Sequence, residues 1–85
     1  MFYVYLLKCS DGTFYTGYTN DVKKRLEEHS KALGAKYTRG RLPVKLQGVR
    51  EFRTQREAMQ AEILVKTMSR EEKMKYFSTH PTRKS

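Results

Sequence analysis

Eighty-five residues make one domain, and a chain this short buries only roughly 60–65% of the surface it exposes when unfolded, so few apolar positions are spare. Eighteen Lys and Arg against nine Asp and Glu leave a net charge of +9, which favours a polyanionic partner, nucleic acid ahead of a membrane surface. The single cysteine, Cys9, excludes an internal disulfide and suits a reducing cytosol, no apolar run approaches the ~20 residues of a membrane span, and the opening residues lack the basic leader and cleavage site expected of a signal peptide.

Residues 2–8 are rich in β-branched and aromatic side chains and predict a strand. Ser10-Asp11-Gly12 supplies turn chemistry, since glycine accepts positive φ without a Cβ clash, and residues 13–19 form the returning strand. Gly17 inside that strand predicts a bulge or the close approach of another backbone. By strand parity Tyr3 and Tyr5 share a face, whereas Tyr15 and Tyr18 point to opposite faces.

The next segment reads as a helix capped by Thr19 or Asn20, with Asp21 at its positive end. Val22, Leu26 and Leu33 mark its apolar stripe and Gly34 its end. Residues 31–45 read as a loop that carries Lys31, Lys36, Arg39, Arg41 and Lys45, with Tyr37 among them and no acidic residue, the expected nucleic-acid-binding surface. Pro43 opens a third strand-like run through Phe52. Thr54-Gln55-Arg56-Glu57 is a capping box for a second long helix, whose small apolar face is Ala58, Ala61, Val65 and Met68. Ser69-Arg70-Glu71-Glu72 is another, opening a short last helix to about Phe77 that His80-Pro81 stops. The expected organisation is one domain over 1–78 and a basic, flexible tail over 79–85. Its class is α+β: a three-stranded antiparallel sheet flanked by helices, in the order β-β-α-β-α-α.

Some polar residues stand where a pure core would not place them. Tyr5 and Tyr15 lie ten positions apart on two strands, and Arg25 and His29 sit one turn apart on the edge of the first apolar stripe. Glu62 falls within the Ala-rich face of the second long helix, where a carboxylate must pair with a cation, bind a metal or shift its pKa. Each alone reads equally well as packing: a snorkelling arginine, a satisfied core histidine, an ion-paired glutamate, tyrosines whose hydroxyls reach water. Together they predict phenol, guanidinium and imidazole over one small sheet, groups suited to a phosphodiester. Other chemistries fail on inventory, because one Cys and two His make no zinc set and the five glycines form no phosphate-cradling signature.

In this order the motifs resemble a GIY-YIG domain, in particular its small stand-alone members. Tyr3-Val4-Tyr5 is similar to the first motif and Tyr15-Thr16-Gly17 to the second, with Arg25 and His29 at the positions of the family's arginine and the Tyr/His one turn later. Glu62 matches the metal-binding glutamate, and the segment from Gly34 to Leu46 looks typical of the stand-alone group. Tyr18 stands where several members have lysine, and Met74 or Lys75 falls near the place of an asparagine found in some. The resemblance implies a DNA endonuclease or nickase that uses one Mg²⁺ or Mn²⁺, structure-specific and serving repair or recombination. In that account Glu62 holds the ion, Arg25 binds non-bridging oxygens, Tyr15 is the general base, Tyr5 orients the water and His29 relays the proton. An ordinary phenol, with a pKa near ~10, would need neighbouring cations to serve as that base. Branched, nicked or damaged DNA is the expected partner, with a second protein supplying targeting. The alternative is a nucleic-acid-binding module that keeps the fold with little catalysis.

Overall fold

The computed structural model describes residues 1–31 and 36–79, with the backbone alone at 36, 37 and 79. Strand β1 (Phe2–Lys8) pairs antiparallel with β2 (Phe14–Thr19) on one side and β3 (Lys45–Phe52) on the other, so the sheet order is β2-β1-β3 and both partners are edges. Helices α1 (Val22–Ser30) and α2 (Lys36–Arg39) precede β3, and α3 (Gln55–Lys66) and α4 (Arg70–Thr79) follow it. The short α2 apart, this is the expected β-β-α-β-α-α fold.

The hairpin turns at Gly12, whose φ of +86° is the one a side chain would resist. Asp11 locks the turn by accepting from the Thr13 hydroxyl at 2.6 Å, the Thr13 amide at 3.1 Å and Arg41 Nε at 3.0 Å. These bonds, those from Thr13 foremost, hold its carboxyl below the ordinary range.

Because side chains alternate along a strand, β1 divides its residues between two layers. Val4 and Leu6, both 0% exposed, face α3 and α4 and form the core with Ala58, Ala61, Val65 and Phe77. Ala58 and Ala61 keep α3 close to the sheet. Gly48 does the same for α4, since a Cβ there would fall 2.6 Å from that of Phe77. Between Leu6 and Leu7 the pairing to β3 slips by one, with Gly48 opposite Leu6 and Leu46 opposite Leu7, so Gln47 is the extra residue of a bulge. Both predicted capping boxes form: Thr54 with Glu57 at 3.2 and 3.3 Å, and Ser69 with Glu72 at 3.2 and 2.8 Å. Each is worth about 0.5–2 kcal/mol.

Several expectations need correcting. Asp21, not Thr19 or Asn20, caps α1, its carboxylate accepting from the Lys24 amide at 3.1 Å. Carboxylate outranks threonine here because it satisfies the amide and faces the positive helix end together. The helix closes at Ser30, before Gly34, and Leu33 and Gly34 lie outside the described residues. The presumed loop from 31 to 45 contains α2, and β3 begins at Lys45, after the cis Leu42–Pro43 peptide, not at Pro43. Helix α4 runs on to Thr79, past the predicted end at about Phe77; His80-Pro81 and the remaining tail lie outside the described residues. No helix among the described residues is long and apolar enough to cross a membrane.

Candidate functional site

The other face of the sheet carries Tyr3, Tyr5 and Leu7 of β1 and Tyr15 and Gly17 of β2, as the pairings Tyr5↔Gly17 and Leu7↔Tyr15 require. Gly17 lies directly beside Tyr5, and a Cβ built there would collide with the Tyr5 hydroxyl and fall 2.6 Å from Cζ. The phenol of β1 therefore lies flat across β2 and points to its open edge. The β1–β2 register is unbroken through Gly17, so the glycine makes room for a side chain; it neither forms a bulge nor meets another backbone.

Helix α1 closes over this face. Val22 and Leu26 meet Tyr5, Leu7 and Leu46, with no space that would admit a water molecule. The same helix turn brings Arg25 and His29 inward. His29 is 0% exposed, and its ring centroid lies 5.4 Å from that of Tyr15 and 5.9 Å from that of Tyr5, while the two tyrosine rings are 6.4 Å apart. The Tyr5 hydroxyl is 3.1 Å from His29 Nε2, and Thr38 Oγ1 is 2.8 Å from His29 Nδ1. Both ring nitrogens are thus satisfied without water.

Electrostatics follow from this burial. Desolvation lowers the His29 pKa, the Arg25 charge lowers it further and Glu28 partly offsets both, so the imidazole is neutral at pH 7. Desolvation raises the Tyr5 pKa; the Arg25 guanidinium, donating toward the phenol, works against that rise, and the charges of Tyr15 and Glu62 add to it. Arg25 is in turn held firmly charged by Tyr5 and by Glu28, whose Oε1 accepts from its Nη1 at 2.9 Å. Glu62 reaches the site from the opposite layer: its charge acts on Tyr5, its side chain is 18% exposed, and Lys66 Nζ lies 3.5 Å from its Oε2.

All five residues predicted to carry chemical roles are therefore neighbours: Tyr5, Tyr15, Arg25 and His29 pack together, and Glu62 lies within their electrostatic reach. No group of three or more His, Cys, Asp or Glu side chains that could hold a metal ion occurs among the described residues. The basic segment is less uniform than expected. Lys31, Arg39 and Lys45 are exposed, whereas Arg41 is tied to Asp11; the side chains of Lys36 and Tyr37 lie outside the described residues. Sequence reasoning missed Thr38, which is 0% exposed, and Glu28, which occupies Arg25. Glu28 is three residues from Arg25 on one helix, a spacing that does mark an ion pair. Thr38 carried no such signal.

A family model described as the GIY-YIG catalytic domain matches residues 1–76. The chain belongs to the GIY-YIG family. Among its relatives, a UPF0213 protein of Streptococcus agalactiae is 55% identical over 78 residues, spanning 92% of this chain and 89% of the relative. Another from Halobacterium salinarum is 51% identical over 77 residues, 91% of this chain and 100% of the relative. The solution structure of a UPF0213 protein of Bacillus halodurans is similar with a TM-score of 0.58 at 48% identity, over 93% of this chain and 85% of that one. That of an E. faecalis protein gives 0.63 at 43% identity, over 91% and 82%.

The family's two sequence departures on β2 can now be placed. Thr16, in the position of the motif's isoleucine, faces the core, where its Oγ1 is buried with no hydrogen-bond partner among the described residues. Tyr18, where other GIY-YIG chains have lysine, leaves the strand on that same core side and accepts from Gln55 Nε2 at 3.3 Å. A lysine at 18 would start from the face opposite Tyr15.

Proposed function

We propose that this GIY-YIG chain binds the phosphodiester backbone of DNA at the open edge of β2. The observation that carries the reading is the position of Arg25. Its side chain is 34% exposed and sits at the mouth of the Tyr5–Tyr15–His29 cluster, in a chain of net charge +9. A guanidinium offers a planar fork of donors that matches two phosphate oxygens, and its partly exposed pair with Glu28 is worth only about 0–1 kcal/mol, so phosphate can compete for it. Tyr15, half-buried in the same cluster, supplies a second hydroxyl on β2. Lys31 at the end of α1, Arg39 of α2 and Lys45 of β3, all exposed, add further positive charge. Binding is tested by fluorescence anisotropy with duplex, nicked and branched DNA over a range of KCl. The expected affinity falls with salt, by a log–log slope near −0.9 per phosphate contact, and Arg25→Ala lowers both affinity and slope. Salt-independent binding, or none, refutes the reading.

A second reading, hydrolysis of the DNA backbone by an endonuclease or nickase, is favoured by the convergence of two phenols, an imidazole and a guanidinium within one charge field. The residues fit a divalent ion in one way. Mg²⁺ keeps several waters and is held by one or two carboxylates plus substrate phosphates, so the lone Glu62 would hold Mg²⁺ or Mn²⁺ together with the DNA. Bound there, the ion would supply charge stabilisation at the phosphate and the leaving oxygen. The protein's own groups divide the remaining work. Arg25 neutralises the non-bridging oxygens as charge accumulates. Tyr15, the more accessible phenol, takes the proton of the attacking water. Tyr5, 2% exposed and held neutral by burial, orients as a hydrogen-bond partner, and the neutral His29 behind it can accept a proton. Incubation with nicked or branched DNA and Mn²⁺ is expected to yield cleavage that Arg25→Ala and Glu62→Ala abolish. Products that persist in both variants would belong to a contaminant. In either reading the setting is the cytosol, with DNA repair or recombination as the role and another protein supplying targeting.

A further inference from the structure

We propose that Thr38 is a positioning residue of this site: its hydroxyl oxygen accepts from His29 Nδ1–H and thereby fixes the tautomer that receives the Tyr5 proton at Nε2. The inference deepens the reading of this face as the phosphodiester site and rests on that reading for its functional meaning.

Thr38 is one of the few wholly buried polar side chains among the described residues, and it comes from a separate element, α2. Burial of a hydroxyl is tolerated only where it finds a partner, and here a partner stands at 2.8 Å. A neutral imidazole has one donor nitrogen and one acceptor nitrogen, so the bonds at its two ends are not independent. At one end the Tyr5 oxygen already receives the Arg25 guanidinium, which leaves the phenol's own proton to be donated. Among the described residues, the neighbour placed to take it is His29 Nε2, at 3.1 Å. Nε2 must then carry a lone pair, the ring proton sits on Nδ1, and Thr38 Oγ1 accepts it.

The chain runs Arg25 to Tyr5 to His29 to Thr38, every donor pointing the same way. Such a series polarises its members in concert, drawing the Tyr5 proton inward and leaving the phenol oxygen richer in electrons on the side that meets Arg25. Thr38 also belongs to the basic stretch that leads to Arg39 and Arg41, so the segment offered to DNA and the proton state of the cluster share one residue.

The test is a two-bond ¹H–¹⁵N spectrum of the imidazoles in the ¹⁵N-labelled full chain without DNA, with His29 assigned by its loss in His29→Gln and so separated from His80. The expected wild-type pattern has the proton on Nδ1. Thr38→Val, which keeps the shape and removes the acceptor, is expected to move the proton to Nε2, and Thr38→Ser to retain it on Nδ1. A wild-type proton on Nε2, or a folded Thr38→Val with an unchanged tautomer, overturns the proposal. If Thr38→Val does not fold, the wild-type and Thr38→Ser spectra decide it. The measurement contains no DNA, so its failure is distinct from failure of the binding reading, which the salt titration tests.

Discussion

The two faces of one three-stranded sheet solve opposite problems. On the face under α3 and α4, Val4 and Leu6 meet Ala58, Ala61 and Val65, and nearly every buried atom is apolar. On the face under α1 and α2, the buried atoms include a phenol, an imidazole and a hydroxyl, each with a partner. A chain of 85 residues can bury polar groups on one side only because the other side supplies most of the hydrophobic stabilisation. One face holds the fold together, and the other is held in place by it.

The largest effect that would break this contrast is expected from Leu6→Ala. It removes a fully buried side chain from the apolar face and should lower unfolding stability by about 2–5 kcal/mol in urea titration, unfolding much of a domain this small. A loss under 1 kcal/mol would mean that the core does not sit there. Next is Gly17→Ala on the polar face. The added methyl must push Tyr5 off β2, which should cost about 1–3 kcal/mol and displace the Tyr5 and His29 ring resonances together. Unmoved rings would show that Tyr5 does not cross the strand.

Thr16→Val sharpens the contrast from the apolar side. Its unpartnered buried hydroxyl is an intrusion of the wrong chemistry, so an isosteric valine is expected to raise stability by about 1 kcal/mol without weakening DNA binding. A destabilised variant would show that the hydroxyl has a partner.

The smallest effect concerns pH. The folded His29 pKa is lowered, by burial first and then by Arg25, with Glu28 opposing. Above the unfolded value of ~6.5 its full contribution to stability is present. As pH falls below that, the unfolded chain takes up the proton first, and stability declines until the lowered folded pKa is passed. His29→Gln is expected to flatten this decline in unfolding curves taken above the carboxylate range. An equally steep decline in the variant would trace it to other groups.

Much of the architecture was legible in local chemistry. The Asp11-Gly12 turn, the two capping boxes and the small-residue face of α3 are short-range patterns, and short-range physics decides them. So were the five clustered residues as residue types, because a charge or an imidazole on an apolar stripe is visible as a misfit in one dimension. What local reasoning could not see was the purpose of Gly17. Strand propensity says only that glycine weakens a strand, whereas the reason for this one lies on the neighbouring strand, in the ring of Tyr5. The end of α1 was missed because a glycine at 34 is a good stop, yet the helix closes at Ser30. Thr38 was invisible because no periodic apolar pattern runs through the basic stretch around it.

Sequence alone determined the elements, their order and which side chains were chemically out of place, since propensity, capping and alternation act between residues a few positions apart. Only tertiary structure decided that the phenol of β1 lies over Gly17 and that Thr38 meets His29. Those contacts join residues distant along the chain, and whether they form depends on how closely whole helices seat on the sheet.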